Sequence, residues 1–283
     1  MDLRGNSIAF TSTHKTTDRE LTMKLDLHGR AALVSGSTAG IGFGIARELA
    51  AQGALVWVNG RTEQRVEQAI AAIYKEYPDA RLRGVAADVT TAEGAGQVMA
   101  KVDALDILVN NVGGPTAFKA FVDLTDEDWR RVFDVNVLSG VRLTRHYLPG
   151  MRARNRGRVV FIASESGVQM PPEFMHYGAA KAAVIALARG VAETLVGTGV
   201  TVNSVLPGPT LSEVLGKAIA ASGKSTAEFE KELIEKRRST SLIHRFTSID
   251  EVANMVVYLC SEAASGTHGA ALRVEGGIIK SAF

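Results

Sequence analysis

The chain has 283 residues, 46% of them hydrophobic and 22% charged, which excludes a wholly disordered, collagen-like or disulfide-scaffold protein. Its 32 Lys plus Arg against 30 Asp plus Glu leave a formal net charge of +2, so bulk charge gives no support to nucleic-acid binding. A single α/β domain often reaches ~250 residues, and one large domain is expected here.

Residues 1–22 are rich in Thr, Ser and charge and lack the apolar core of a signal peptide. They read as a flexible N-terminal extension, with the domain running over 23–283. From Arg30 onward, short β-rich runs alternate with helical ones, the pattern of βαβ units. The expected strands are Ala31–Ser35, Leu55–Asn59, Leu82–Ala86, Ile107–Asn110, Arg158–Ala163, Thr201–Leu206 and Ala270–Val274. Between them fall helices over about Gly40–Gln52, Glu63–Tyr74, Ala92–Val102, Asp126–Arg154, Met175–Val196 and Ile249–Ser261. Thr125 with Asp128, and Ser248 with Glu251, place a hydroxyl and an acid where a helix N-terminus needs an acceptor and a negative charge. The fold expected is α/β, a doubly wound parallel seven-stranded sheet of Rossmann type. Its ligands bind beyond the carboxyl ends of the strands. Residues 207–247 have no strand partner and read as a polar helical segment covering that site. The most apolar stretch, Ala179–Val200, carries Lys181, Arg189 and Glu193, which argues against a membrane span of ~20 residues.

Directly after the first strand comes Ser35-Gly36-Ser37-Thr38-Ala39-Gly40-Ile41-Gly42, and a helix follows. Glycines there let backbone N–H groups approach a pyrophosphate resting on the positive helix end. After the second strand stands Arg61, with no acid nearby to repel a ribose 2′-phosphate, which points to NADP(H) in preference to NAD(H). Tyr177 and Lys181 share a helix face at i,i+4, and a nearby ammonium is expected to draw the phenol's pKa down towards neutrality. Ser164 ends the fifth strand, where a hydroxyl orients a substrate carbonyl.

Taken together with Asn110-Asn111-Val112-Gly113 after the fourth strand, these motifs resemble, in order and over Leu25–Gly277, the compact branch of the short-chain dehydrogenase/reductase family. The resemblance extends to 3-oxoacyl carrier-protein reductases. It implies that Gly36, Ser37, Gly40, Ile41 and Gly42 hold the pyrophosphate side of the cofactor, Asp88 and Val89 the adenine, and Asn111 with Gly113 the adenosine ribose. Lys181 would also bind the nicotinamide ribose, with Pro207, Gly208 and Thr210 meeting the carboxamide. Asn136, Ser164, Tyr177 and Lys181 would form the catalytic set, Asn136 through a water in the proton relay. The chain departs from the family at Ala39, where many NADP-preferring members carry Arg or Lys, and at Ser35 and Ser212, where Thr is common.

The activity implied is hydride transfer between nicotinamide and a carbonyl or secondary alcohol, with Tyr177 as general acid/base. A catalytically silent dinucleotide-binding sensor or scaffold is the alternative, disfavoured by the complete catalytic set. The partners expected are a small-molecule carbonyl or alcohol and further copies of the chain in a homodimer or homotetramer, with neither nucleic acid nor membrane. The six histidines show no ligand spacing, so no metal is expected. His176 reads as a residue at the mouth of the site, Glu165 and Glu173 as either substrate-selecting or solvated loop acids, and Cys260 as a buried structural thiol. One cysteine cannot form an internal disulfide, which suits a cytoplasmic setting.

Overall fold

Alternation along the strands sorts their side chains onto two faces, and both faces are covered. In the computed structural model, which describes residues 25–282, the strands are β1 (Ala31–Val34), β2 (Leu55–Gly60), β3 (Arg81–Ala86), β4 (Ile107–Asn110), β5 (Gly157–Ile162), β6 (Val200–Pro207) and β7 (Ala271–Val274). They form one sheet in the order β3-β2-β1-β4-β5-β6-β7, and every neighbouring pair is parallel. The expected extension, residues 1–22, lies outside the described residues.

Ala32, Val34, Val56, Val58, Ile107 and Val109 point to one face, where helices α1 (Gly40–Ala51), α2 (Glu63–Glu76) and α9 (Ile249–Cys260) close over them. Leu33, Trp57, Leu108, Val159 and Phe161 point to the other, under α3 (Ala92–Lys101), α5 (Ser139–Ala153) and α6 (Met175–Glu193). The sheet order reverses between β1 and β4, so the loops after these strands diverge and open a crevice at their carboxyl ends.

The long helix expected over Asp126–Arg154 is three pieces: α4 (Asp126–Phe133), a π-helical turn at Asp134–Leu138, and α5. Thr125 and Asp128 form the expected capping box at the start of α4, and Ser248 with Glu251 does so for α9. The single polar helix expected within 207–247 is two, α7 (Glu213–Ser222) and α8 (Thr226–Arg237). Gly223, in the left-handed region at φ 69°, ends α7, and a capping box of Ser225 with Glu228 starts α8. Cys260 is buried, and burial pushes its thiol up to about 12. Among the described residues no helix is long and apolar enough to cross a membrane.

Candidate active site

The glycine loop is fixed by hydrogen bonds from behind. Asn59 is buried in β2; its Oδ1 accepts from the Gly36 N–H at 3.0 Å and its Nδ2 donates to the carbonyls of Val85 and Ala87. Asn111 donates from Nδ2 to the carbonyls of Ser35 and Gly36, at 2.9 and 3.1 Å, and the Ser35 hydroxyl accepts from the N–H groups of Asn111 and Val112. Gly36 and Gly40 have φ of 63° and 56°, which β-carbon-bearing residues rarely adopt. A Cβ on Gly42 would lie 2.4 Å from both Asn111 Nδ2 and the Gly36 carbonyl, so the turn closes only with glycine there.

In front of this loop lies a cleft of about 1050 Å³. Of the residues expected to meet a cofactor, Gly36, Gly40, Ile41, Gly42, Arg61, Asp88, Val89, Asn111, Gly113, Pro207 and Gly208 line it, and Ser164, Tyr177 and Lys181 stand on the same walls. Its glycine-lined floor, the helix N-terminus of α1 and its volume fit a dinucleotide. Exposed Arg61 has no ion-pair partner among the described residues, which leaves its guanidinium available to an anion.

The catalytic candidates converge from three elements. Ser164 follows β5, Tyr177 and Lys181 sit in the first turns of α6, and Asn136 lies in the π-helical turn, a distortion that often marks functional positions. Lys181 is buried, donates from Nζ to the Ile162 carbonyl at 2.8 Å, and stands 5.7 Å from the centroid of the Tyr177 ring. A Cβ on Gly113 would meet Asn136 Oδ1 and Lys181 Nζ, each at 2.7 Å, so the three groups meet at one point. Asn136 is itself fully engaged: Oδ1 accepts from the Gly114 N–H, and Nδ2 donates to the carbonyls of Gly114 and Val132. It therefore fixes the loop after β4 and does not line the cleft.

Burial dominates the titration of the pair. It pushes the Lys181 amine down to about 7 and the Tyr177 phenol well above its ordinary value; the Ser164 hydroxyl offsets part of the latter and the Glu165 charge adds to it. The expectation that Lys181 pulls the phenol towards neutrality is thus not met in the protein alone, because burial dominates and the lowering influence on the phenol is the Ser164 hydroxyl.

Two expected contacts fall outside the cleft. The Ser37 hydroxyl donates to the Val34 carbonyl and accepts from the Asn59 N–H, so Ser37 braces the loop from behind while its neighbour Thr38 lines the cleft. Thr210 is buried, its hydroxyl donating to the Gly208 carbonyl and lying 2.9 Å from that of Thr247. It shapes the 207–210 turn. His176 is not at the mouth: it is fully buried, edge-on to Trp129 with centroids 6.2 Å apart. Neither Glu165 nor Glu173 is a freely solvated acid. Glu165 is 3% exposed and receives the hydroxyls of Ser164 and Ser166 and the guanidinium of Arg238, and Glu173 pairs with Arg237 at 3.5 Å. Arg65, in the first turn of α2 and four residues after Arg61, also lines the cleft, a spacing the sequence displayed. Arg142 is a further lining residue with no such signal; it ties the Thr90 carbonyl to Asp134.

A family model described as enoyl-(acyl carrier protein) reductase matches residues 36–279. The chain is 45% identical over 266 residues to the uncharacterized oxidoreductase YvrD of Bacillus subtilis, covering 92% of this chain and all of that one. It is 33% identical over 261 residues to dehydrogenase/reductase SDR family member 4 of Homo sapiens, with 91% and 90% covered. Among solved structures, L-sorbose reductase from Gluconobacter frateurii, complexed with NADPH and L-sorbose, superposes with a TM-score of 0.83 at 31% identity over 92% of this chain and all of that one.

Proposed function

Since the chain belongs to the short-chain dehydrogenase/reductase family, and so to its NAD(P)-dependent oxidoreductases, we propose that it transfers hydride between NADP(H) and a carbonyl or secondary alcohol, with Tyr177 as general acid/base. The convergence of Ser164, Tyr177 and Lys181 on one cleft, facing a glycine loop held open from behind, carries this reading. Arg61 at the rim, with Arg65 in the first turn of α2, supports the phosphorylated cofactor, as does the NADPH held by the sorbose reductase that this fold resembles.

The nicotinamide supplies or accepts the hydride at its ring when bound. This chain's residues supply the rest. The glycine loop and α1 receive the pyrophosphate. In reduction the Tyr177 hydroxyl gives its proton to the carbonyl oxygen, and Ser164 donates a hydrogen bond to that oxygen as charge develops on it. Lys181, whose amine burial has brought to about 7, returns a proton towards Tyr177, and Asn136 holds the loop that borders this relay. Alcohol oxidation runs the same steps backwards, with Tyr177 accepting the proton. Membership of this family also supports a homodimer or homotetramer, which light scattering measures directly.

The experiment is NADPH and NADH consumption against a panel comprising L-sorbose, a keto-sugar acid, a β-ketoacyl thioester, a steroid ketone and simple ketones, wild type beside Tyr177→Phe. We expect turnover on one class, faster with NADPH, and a loss of ~100-fold or more in the variant while NADPH still binds, the scale of a general acid. Equal turnover in Tyr177→Phe would overturn the assignment.

A further inference from the structure

Beside the catalytic serine lies a carboxylate whose three donors come from two parts of the chain. Glu165 is 3% exposed, and its Oε2 accepts the hydroxyls of Ser164 at 2.7 Å and Ser166 at 2.6 Å. Its Oε1 accepts from Nε of Arg238 at 2.8 Å, and the Arg238 side chain is 11% exposed. Arg238 immediately follows α8, in the covering segment, 73 residues away in sequence. Two further contacts join the same strips: Arg237 with Glu173, and the Gln169 amide donating to the Thr240 hydroxyl at 3.3 Å.

Ser164 has one hydroxyl proton, and with Tyr177 also beside it the hydroxyl donates to Glu165. Its oxygen meanwhile accepts the Ser166 N–H at 3.1 Å. A serine in this state cannot donate to a substrate oxygen; the hydroxyl must first turn away from the carboxylate. Losing a donor is costly for a buried charge unless others remain. Here the Ser166 hydroxyl and the Arg238 guanidinium remain. Without Arg238 the carboxylate would have only the two serine hydroxyls and would hold Ser164 more firmly.

We propose that Glu165 is a positioning residue that holds the Ser164 hydroxyl at rest, and that Arg238 of the 207–247 segment, by sharing the carboxylate's charge, loosens that hold enough for the hydroxyl to turn to the substrate oxygen. Seating of Arg238 against Glu165 and the readiness of the serine are then linked. The inference rests on the oxidoreductase reading above, and its test separates the two.

The test measures kcat and KM with NADPH and the best ketone of the panel in Arg238→Met, Arg238→Lys, Glu165→Gln and the Glu165→Gln/Arg238→Met double variant. Arg238→Met should lower kcat by ~10-fold, with the KM for NADPH changed less than ~2-fold, because an uncompensated carboxylate grips the hydroxyl harder. The double variant should turn over at least ~3-fold faster than Arg238→Met, since a neutral amide needs no counter-charge; Arg238→Lys should lie between Arg238→Met and wild type. A double variant as slow as Arg238→Met overturns the proposal. Should Arg238→Met not fold, the cycle of Glu165→Gln with Ser164→Ala decides: Glu165→Gln costs nothing further once Ser164 is gone, whereas multiplying losses refute the link. A wild type inactive on every ketone breaks the oxidoreductase reading instead. Amide exchange of the NADPH-loaded full chain then decides this one: Glu165→Gln must raise exchange in 226–238 and Arg238→Lys in 165–169, and a rise confined to the substituted segment refutes the coupling.

Discussion

β1, β4 and β5 are covered by helices on both faces, whereas α7 and α8 rest on three buried side chains, Ile219, Ile234 and Phe246, with Leu215, Phe229 and Leu233 beside them. The cofactor wall is held by hydrogen bonds inside the sheet, such as those of Asn59. These two helices, proposed as a cover, are dressed with solvent-facing pairs, Lys217 with Glu213, Lys231 with Glu235 and Lys236 with Glu232, which contribute little each. The contrast separates two requirements. A cradle for a phosphate must be pre-formed, because backbone donors stabilise charge only when already aimed. A cover would have to come away for substrate to enter, and a segment with a small core of its own and few, polar ties to the 164–169 loop suits that role.

The comparison breaks first on core deletions. Leu108→Ala, in the central strand β4 with its side chain fully buried, should cost ~2–5 kcal/mol of global stability, while Ile234→Ala in α8 should cost the cover's local stability and far less of the global transition. Denaturant melts beside amide exchange measure both; equal global losses would mean the cover folds as part of the sheet core. On the cofactor side, Arg61→Ala should raise the KM for NADPH by ~10-fold and leave that for NADH nearly unchanged, the scale of one charge-assisted hydrogen bond. An equal change for both cofactors would remove Arg61 from the phosphate site.

The pH dependence sharpens the contrast further. The Lys181 amine is lowered by burial from 10.5 to about 7, so between those values the unfolded chain binds more protons than the folded one. Stability contributed by this group therefore rises with pH from about 7 towards 10.5, and the penalty of charging the buried amine is fully present below that window. Lys181→Met should flatten that slope in melts across the range, and a slope unchanged in the variant would assign it to other groups. The smallest effect lies in the cover. Gly216, inside α7 with open space where a Cβ would go, should gain ~0.5–1 kcal/mol of local stability as Gly216→Ala. The opposite substitution site is Gly42, where the same methyl meets backbone and should abolish cofactor binding before it improves any helix.

Much of the fold was legible because its signals are local. Runs such as Ala-Ala-Leu-Val and Ile-Leu-Val-Asn, each followed by a helical period, mark strands within a residue or two of β1 and β4. Thr125 with Asp128 and Ser248 with Glu251 mark helix starts through contacts three residues apart. The π-helical turn at Asp134–Leu138 was hidden, since nothing in Asp-Val-Asn-Val-Leu distinguishes it from an α-helix; it exists where α4 and α5 join and Asn136 turns in to satisfy Gly114. Ser37 and Thr38 are adjacent hydroxyls, and only the path of the loop decides that one faces β2 and the other the cleft.

The sequence by itself determined the order of strands and helices, the glycine turn and the spacing that puts Tyr177 and Lys181 on one helix face, because each depends on neighbours within a few residues. Tertiary structure alone decided what surrounds those groups. Desolvation around Lys181 and Tyr177 comes from elements far apart in the chain, and it, not the mutual charge effect their spacing suggested, dominates both groups. From the sequence Glu165 reads as either a substrate-selecting or a solvated loop acid, until Arg238, 73 residues on, is brought against it; burial and pairing of a charge are properties of the packed whole.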